Sequence, residues 1–269
     1  MSGATANKKW SGGHRRRENL QSGSDIIKWP SLLAPRRSSL PNSATKQRID
    51  VDGFAVLPGA LRQSEMDTLR ADIDKKPLHR SRAGARHMLG NASVAALASD
   101  HRLLEIARQV LGAEARAFRA TLFDKSPTSN WLVVWHQDTA LPLLERHELP
   151  GWGPWSVKEG VIYAHAPAMA LEQVLALRVH LDESSDRNGP LRVLPGTHLM
   201  GVLTDDAIEQ LASQIAAVDC GVPAGGVVAM RPLIVHASSK SLIEAPRRVL
   251  HIEYAARMIM ADSLELAKA

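Results

Sequence analysis

The sequence predicts a mainly β domain, a barrel or jelly roll, with helices flanking it on the N-terminal side. Three observations carry this. Between residues 64 and 111 the apolar residues recur at helical spacing and the segments close on stop signals such as Gly112. From residue 115 the apolar period falls to 2. The runs with that period are short and separated by Gly, Pro and Asn, and helices followed by many short strands form a closed or rolled sheet.

The elements follow in order. Residues 1–46 are polar and rich in Ser, Asn, Arg and Lys, so they are expected to form a disordered basic tail, with the folded domain over 47–269. The tail reads as a dispensable leader or as an Arg- and Ser-rich organelle transit peptide. The expected location is cytoplasmic, with organelle targeting through the tail as the alternative. Gly53-Phe54-Ala55-Val56-Leu57 alternates like a short strand that Pro58-Gly59 ends. Ser64 with Asp67 reads as a capping box for a helix to about Lys75. Ser93 to Leu111 reads as one helix. Strands are expected at 115–123, 131–135, 174–182, 190–194, 226–230, 232–237 and 247–256, with a helix over Thr204 to Gln214. Asn188-Gly189-Pro190 marks a turn. Thr139 to Met169 is read as a long loop, and long loops in compact domains usually carry function.

Composition removes several function classes. No run of 18 apolar residues exists, so no membrane-spanning helix is expected. The single cysteine, Cys220, excludes an internal disulfide framework and any Cys-rich zinc module. No repeat of solenoid or propeller period is visible. Residues 1–50 hold ten Lys/Arg against three Asp/Glu, whereas the other 219 hold 23 against 25. The basic excess therefore sits in the tail, and the domain lacks the footprint of a nucleic-acid binder.

The chemistry is sought among 11 histidines and the acids. A His-x-Asp/Glu pair on a strand puts both side chains on one face. With a third ligand from another strand, it makes the two-His-one-carboxylate set of non-haem iron enzymes. At this composition about one such pair arises by chance, and the chain has three: His136/Asp138, His180/Asp182 and His251/Glu253. His251/Glu253 lies in the last strand with no later histidine and is set aside. His180/Asp182 ends an apolar strand. His136/Asp138 sits where a strand opens into the long loop. His236 is the natural third ligand for either of the remaining pairs. Arg247 and Arg248 follow eleven and twelve residues later, and an arginine there can grip a carboxylate with two parallel N–H donors.

Trp135-His136-Gln137-Asp138, Leu175 to Asp182, Asn188-Gly189-Pro190-Leu191 with Pro195-Gly196-Thr197-His198, His236-Ala237-Ser238-Ser239 and Pro246-Arg247-Arg248 resemble the phytanoyl-CoA dioxygenase family of Fe(II)- and 2-oxoglutarate-dependent oxygenases. The likeness spans about 115 to 257 and is weaker from 51. It implies a double-stranded β-helix, a cupin-like jelly roll. It implies Fe(II) on His136, Asp138 and His236, and 2-oxoglutarate held through its distal carboxylate by Arg247 with Ser238. Lys125 and Trp155 fall where that family borders the cosubstrate. His180 and Asp182 become structural, and His198 lies near the site without a role.

The resemblance implies hydroxylation of a small-molecule substrate with O₂, giving succinate and CO₂. The retained Asp138 argues against halogenation. Trp152, Trp155 and Tyr163 in the loop, with only Arg146 and Lys158 as cations, suggest a mostly apolar substrate of small to medium size. The competing reading is a metal-binding barrel without oxygenase activity, a binding protein or cupin-like isomerase, for which Arg247 has no use. No nucleic-acid or membrane partner is expected, and the oligomeric state stays open.

Overall fold

The computed structural model describes residues 43–75, 78, 84–260 and 264–269. Most of the expected tail lies outside them. Its last residues are helical: α1 (Ser43–Val51) starts before the expected boundary and buries Ile49. After β1 (Phe54–Leu57), α2 (Gln63–Asp74) takes Arg62 as its N-cap rather than Ser64. The residue that reaches back must be the third of the helix, and that is Glu65, whose Oε2 accepts the Arg62 N–H at 2.7 Å.

Past β2 (Gly84–Ala85), the expected single helix is two: α3 (Ala92–Ala98) and α4 (His101–Leu111). Asp100 makes the break by accepting the Arg102 N–H at 2.9 Å as the N-cap of α4. The apolar pattern runs through the break because Leu97, Leu103 and Ile106 enter the same core.

The β region comprises β3 (Arg116–Lys125), β4 (Val133–His136), β5 (Ala140–Leu143), β6 (Trp155–Lys158), β7 (Val161–His165), β8 (Val174–His180), β9 (Leu191–Val193), β10 (Val218–Cys220), β11 (Val227–Met230), β12 (His236–Ser238) and β13 (Arg247–Ala255). Between them lie α5 (Ala168–Leu171) and α6 (Asp205–Gln214), the latter capped by Thr204 as expected. A six-stranded sheet runs β1-β11-β8-β13-β3-β2, and a four-stranded sheet runs β10-β9-β12-β4. All pairings are antiparallel. Leu175, Leu177, Leu250 and Ile252 pack the outer face of the six-stranded sheet onto α2, α3 and α4. Ala176, Val228 and Met230 of the same sheet meet Leu191, Val193 and Cys220 of the other. The molecule is therefore a jelly roll, with the two sheets face to face and the N-terminal helices outside.

Two expectations fail here. The segment 232–235 is a turn, closed by the Ile234 N–H donating to Arg231 O at 3.1 Å. It reads as a strand because Leu233, Ile234 and Val235 enter three different apolar clusters. The long segment after Thr139 is no loop but a separate three-stranded sheet, β5-β7-β6, followed by α5.

Registry in the large sheet orders the groups between the sheets. On β13, alternate residues Arg247, Val249, His251 and Glu253 share a face. Opposite them on β3 stand Lys125, Phe123, Thr121 and Arg119. On β8, His180 faces Val249, Arg178 faces His251 and Ala176 faces Glu253. The barrel bore is thus layered, with cations at one end, histidine in the middle and an Arg–Glu pair at the other end.

Candidate metal centre

The turn at 232–235 positions the first group. Asp138 N–H donates to Pro232 O at 2.9 Å, which ties the end of β4 to the start of β12. In the ladder His236 stands directly opposite His136. Their ring centroids are 4.2 Å apart. His236 Nε2 lies 3.5 Å from Asp138 Oδ2, and His136 Nε2 lies 3.8 Å from Asp138 Oδ1. One donor atom from each of the three residues falls within 4.8 Å of the others. Among the described residues this is the one such group of three.

Both imidazoles are held in one orientation. His136 Nδ1 bonds Val134 O at 2.8 Å, and His236 Nδ1 bonds Ile234 O at 2.9 Å. A carbonyl only accepts, so each Nδ1 carries the proton and each Nε2 presents a lone pair. Desolvation lowers the His236 pKa to about 4, with Asp138 opposing, so the ring stays neutral. Desolvation raises the Asp138 carboxyl, but His236, His251, His136 and Arg119 outweigh it and hold the group well below the usual carboxylate range. Gln137, between the pair, points the other way. Its Nε2 donates to Leu233 O at 2.7 Å and to Gly201 O at 2.9 Å.

At the cation end of the bore, Arg247 and Lys125 are only 3% and 1% exposed. Ser238 Oγ accepts from Lys125 Nζ at 2.8 Å and from Arg247 Nη2 at 3.2 Å. Arg247 Nε and Nη1 are buried with no partner among the described residues. Desolvation, then Arg247 and Arg178, pull the Lys125 pKa down to about 7. Desolvation and Arg178 pull Arg247 down to about 9. These are buried cations that repel one another and lack a carboxylate, which is a cradle for an anion.

The Asn-Gly-Pro turn underpins that cradle. Gly189 O accepts the Ser238 hydroxyl at 2.9 Å. Gly189 has φ +68°, and a Cβ there would lie 2.2 Å from Ser239 O and 3.2 Å from Lys125 Nζ. Only glycine lets Ser239 O come close enough to bond Lys125.

The remaining sequence candidates separate. Arg248 points away from the bore and bonds Asp182 through Nε at 2.8 Å, and Asp182 also takes Arg70. His180 is fully buried next to Arg178 and Arg247, and desolvation holds it neutral. The pair His180/Asp182 is therefore split between bore and exterior. Trp155 stands in β6, with Arg146 over its ring at 5.5 Å and the Leu141 cluster beneath. The tryptophan beside Lys125 is Trp131, at 5.6 Å. His198 bonds Asp50 O at 3.2 Å and joins none of these groups.

Sequence reasoning set aside His251, yet its Nε2 lies 3.9 Å from Asp138 Oδ2. The signal was present in the strand alternation, which puts Arg247 and His251 on one face. Arg178, Arg119 and Glu253 were not singled out as site residues either. They line the bore through cross-strand registry, which one strand's pattern does not reveal.

A cavity of about 260 Å³ opens beside Asp138 on the Glu253 side. The loop tryptophan Trp152 is buried in the core with Leu141 and Leu143, and the cavity wall mixes Phe123 and Ala140 with Arg86, Arg119, Lys158, His165 and Glu253.

The chain is similar to known proteins. The chain is 26% identical over 243 residues to an L-proline trans-4-hydroxylase of Streptomyces griseoviridis, covering 80% of this chain and 87% of that one. It is 22% identical over 275 residues to an ectoine dioxygenase of Stutzerimonas stutzeri, covering 86% and 84%. EctD from S. alaskensis, solved with 2-oxoglutarate and 5-hydroxyectoine, superposes with a TM-score of 0.62 at 20% identity, covering 82% of this chain and 78% of that one. The sequence model of the phytanoyl-CoA dioxygenase (PhyH) family matches residues 49–249. That match enters at the end of α1 and leaves at Val249, taking in both halves of the histidine–carboxylate cluster and the cation cradle, and the chain belongs to the phytanoyl-CoA dioxygenase family.

Proposed function

We propose that the protein is an Fe(II)- and 2-oxoglutarate-dependent dioxygenase that hydroxylates a small organic molecule. The observation that carries this is the coexistence, along one bore, of the His136/Asp138/His236 cluster and the unneutralised pair Arg247 and Lys125. The residues fit both groups. Two imidazoles that each present Nε2 and one carboxylate suit Fe(II), and Arg247 Nε and Nη1, partnerless among the described residues, suit a carboxylate. A metal-binding barrel without this reaction has no use for buried uncompensated cations.

Bound iron would supply the O₂ chemistry, with one substrate C–H, 2-oxoglutarate and O₂ giving the alcohol, succinate and CO₂. The protein's residues do the rest. His136 and His236 offer Nε2 because the carbonyls of Val134 and Ile234 hold the other nitrogens. Asp138 supplies the negative charge. Arg247, Lys125 and Ser238 take the distal carboxylate of 2-oxoglutarate and align its keto acid end with the metal. The substrate enters from the Glu253 side, where the cavity lies. Its size accords with L-proline and ectoine in the names of the relatives.

The test is succinate release from 2-oxoglutarate by the purified protein with Fe(II) and O₂, alongside His136→Ala, Asp138→Ala and His236→Ala. Each variant is expected to lose turnover and Fe(II) binding while keeping its circular dichroism spectrum. Full activity in His236→Ala would overturn the ligand set.

A further inference from the structure

The cavity beside Asp138 has the volume of about nine liquid waters, and among the described residues one of its three cations has no carboxylate partner. Each guanidinium nitrogen of Arg119 already has a partner: Nε and Nη2 grip the Glu253 carboxylate, and Nη1 donates to Ala140 O at 2.8 Å. Arg86 Nη1 donates to Glu159 Oε1 at 3.1 Å. His165 Nδ1 bonds Thr139 Oγ1 at 2.7 Å. Lys158 is left. It is half-buried at the end of β6, with its Nζ 5.0 Å from the Tyr163 ring centroid, and no carboxylate partners it among the described residues. Desolvation, then Arg86 and Arg119, lower its pKa. A partly desolvated cation held among other cations is stabilised by an anion entering the cavity.

We propose that this pocket takes a small organic acid, amino acids included, and that Lys158 pairs with its carboxylate and so aims the neighbouring carbons at the metal side of Asp138. The proposal rests on the oxygenase reading above. It replaces the apolar substrate suggested by the tryptophans of residues 139–169. The Arg119–Glu253 pair closes the floor of the pocket with its charges already paired, which leaves Lys158 as the group that selects.

The test is a panel of L-amino acids and short aliphatic acids, each beside its carboxamide, added to the Fe(II)/2-oxoglutarate protein. The readouts are succinate release above the substrate-free rate and the metal-to-2-oxoglutarate charge-transfer band. At least one acid is expected to stimulate release, with its carboxamide much weaker. Lys158→Met should raise the KM for that acid about tenfold or more, less than for a fully buried charge pair because the site is half-exposed, and Lys158→Arg should restore part of it. The band and the KM for 2-oxoglutarate should not move. A panel in which no acid stimulates, carboxamides matching acids, or an acid KM within twofold of the parent in Lys158→Met each overturns the proposal. If the parent protein forms no band, the oxygenase reading fails and this proposal with it.

Discussion

Arg178 Nη1 donates to His251 Nδ1 at 3.1 Å. A guanidinium has no acceptor, so Nδ1 must accept and the imidazole proton sits on Nε2. That N–H lies 3.9 Å from Asp138 Oδ2 and 3.8 Å from Glu253 Oε2. Desolvation, then Arg178, hold the His251 pKa well below its ordinary value, so the ring is neutral. His251 therefore has no lone pair for a metal and instead presents a donor toward the carboxylate ligand. His251→Leu should cost about 10- to 100-fold in Fe(II) affinity. Arg178→Met should do likewise by releasing the tautomer. Anaerobic Fe(II) titration measures both, and an unchanged Kd in each would remove the orienting role.

Arg247 and Arg248 face opposite sides of β13, and only the first reaches Ser238. Arg247→Lys keeps the charge and loses the fork. Leaving a buried carboxylate poorly paired costs on the order of 2–5 kcal/mol, or roughly 30- to several-thousand-fold in 2-oxoglutarate affinity. Arg248→Ala should leave that affinity alone and lower the melting temperature, since Asp182 loses a partner. The charge-transfer band on 2-oxoglutarate titration separates the two, and loss of the band in Arg248→Ala alone would reverse the assignment.

Lys125 sits near half-protonation at neutral pH, its pKa lowered to about 7 by desolvation and by Arg247 and Arg178. A bound dicarboxylate favours the charged form and raises that pKa. The complex therefore holds a proton that the free protein has lost above pH 7, so affinity for 2-oxoglutarate should fall as pH rises from 7 to 9. Calorimetry at pH 8 in phosphate and in Tris should show proton uptake on binding. Tighter binding at pH 9 would contradict this sign, and Lys125→Met should flatten the profile.

The N-terminal boundary is testable by two truncations. Removing residues 1–42 should leave turnover and melting temperature unchanged. Removing residues 1–51 also takes away α1 and the buried Ile49, and loss of such a core side chain costs about 2–5 kcal/mol. Equal melting temperatures for the two truncations would show that α1 is not part of the domain.

The sequence made some features plain and hid others for physical reasons. Strand β3 was visible because its burial alternates, and β8 and β13 because they are near-continuous buried runs, with one face on the helices and the other on the bore. The His136/Asp138 pair was visible because strand spacing puts both on one side at a strand end. His251 lies more than 100 residues from Asp138 in the chain, and the face-to-face packing of the two sheets, which no single segment reveals, brings them together. The strands β5, β6 and β7 were hidden because Pro142, Pro150, Gly151, Gly153, Pro154 and Gly160 interrupt the stretch and give it the composition of a loop. The turn at 232–235 was hidden by three apolar residues that serve three different cores. Neither the charge of the pocket nor the support that Gly189 gives Lys125 could be read from one segment, since each is made by residues far apart in the chain.

Among the described residues, the strands that carry Lys158 and His165 ladder only with each other and with β5, and not with either large sheet. The ladder that fixes Arg247 relative to His251 is a different piece of backbone. The backbone of residues 155–165 therefore does not set the order of groups along the bore, and its ties to the large sheet are side-chain contacts, Ala164 in one cluster with Phe118 and Tyr163 beneath Arg119. A lineage built on this scaffold can inherit its oxidation chemistry whole and diversify by editing one small sheet, and an engineer can treat that sheet as the exchangeable part.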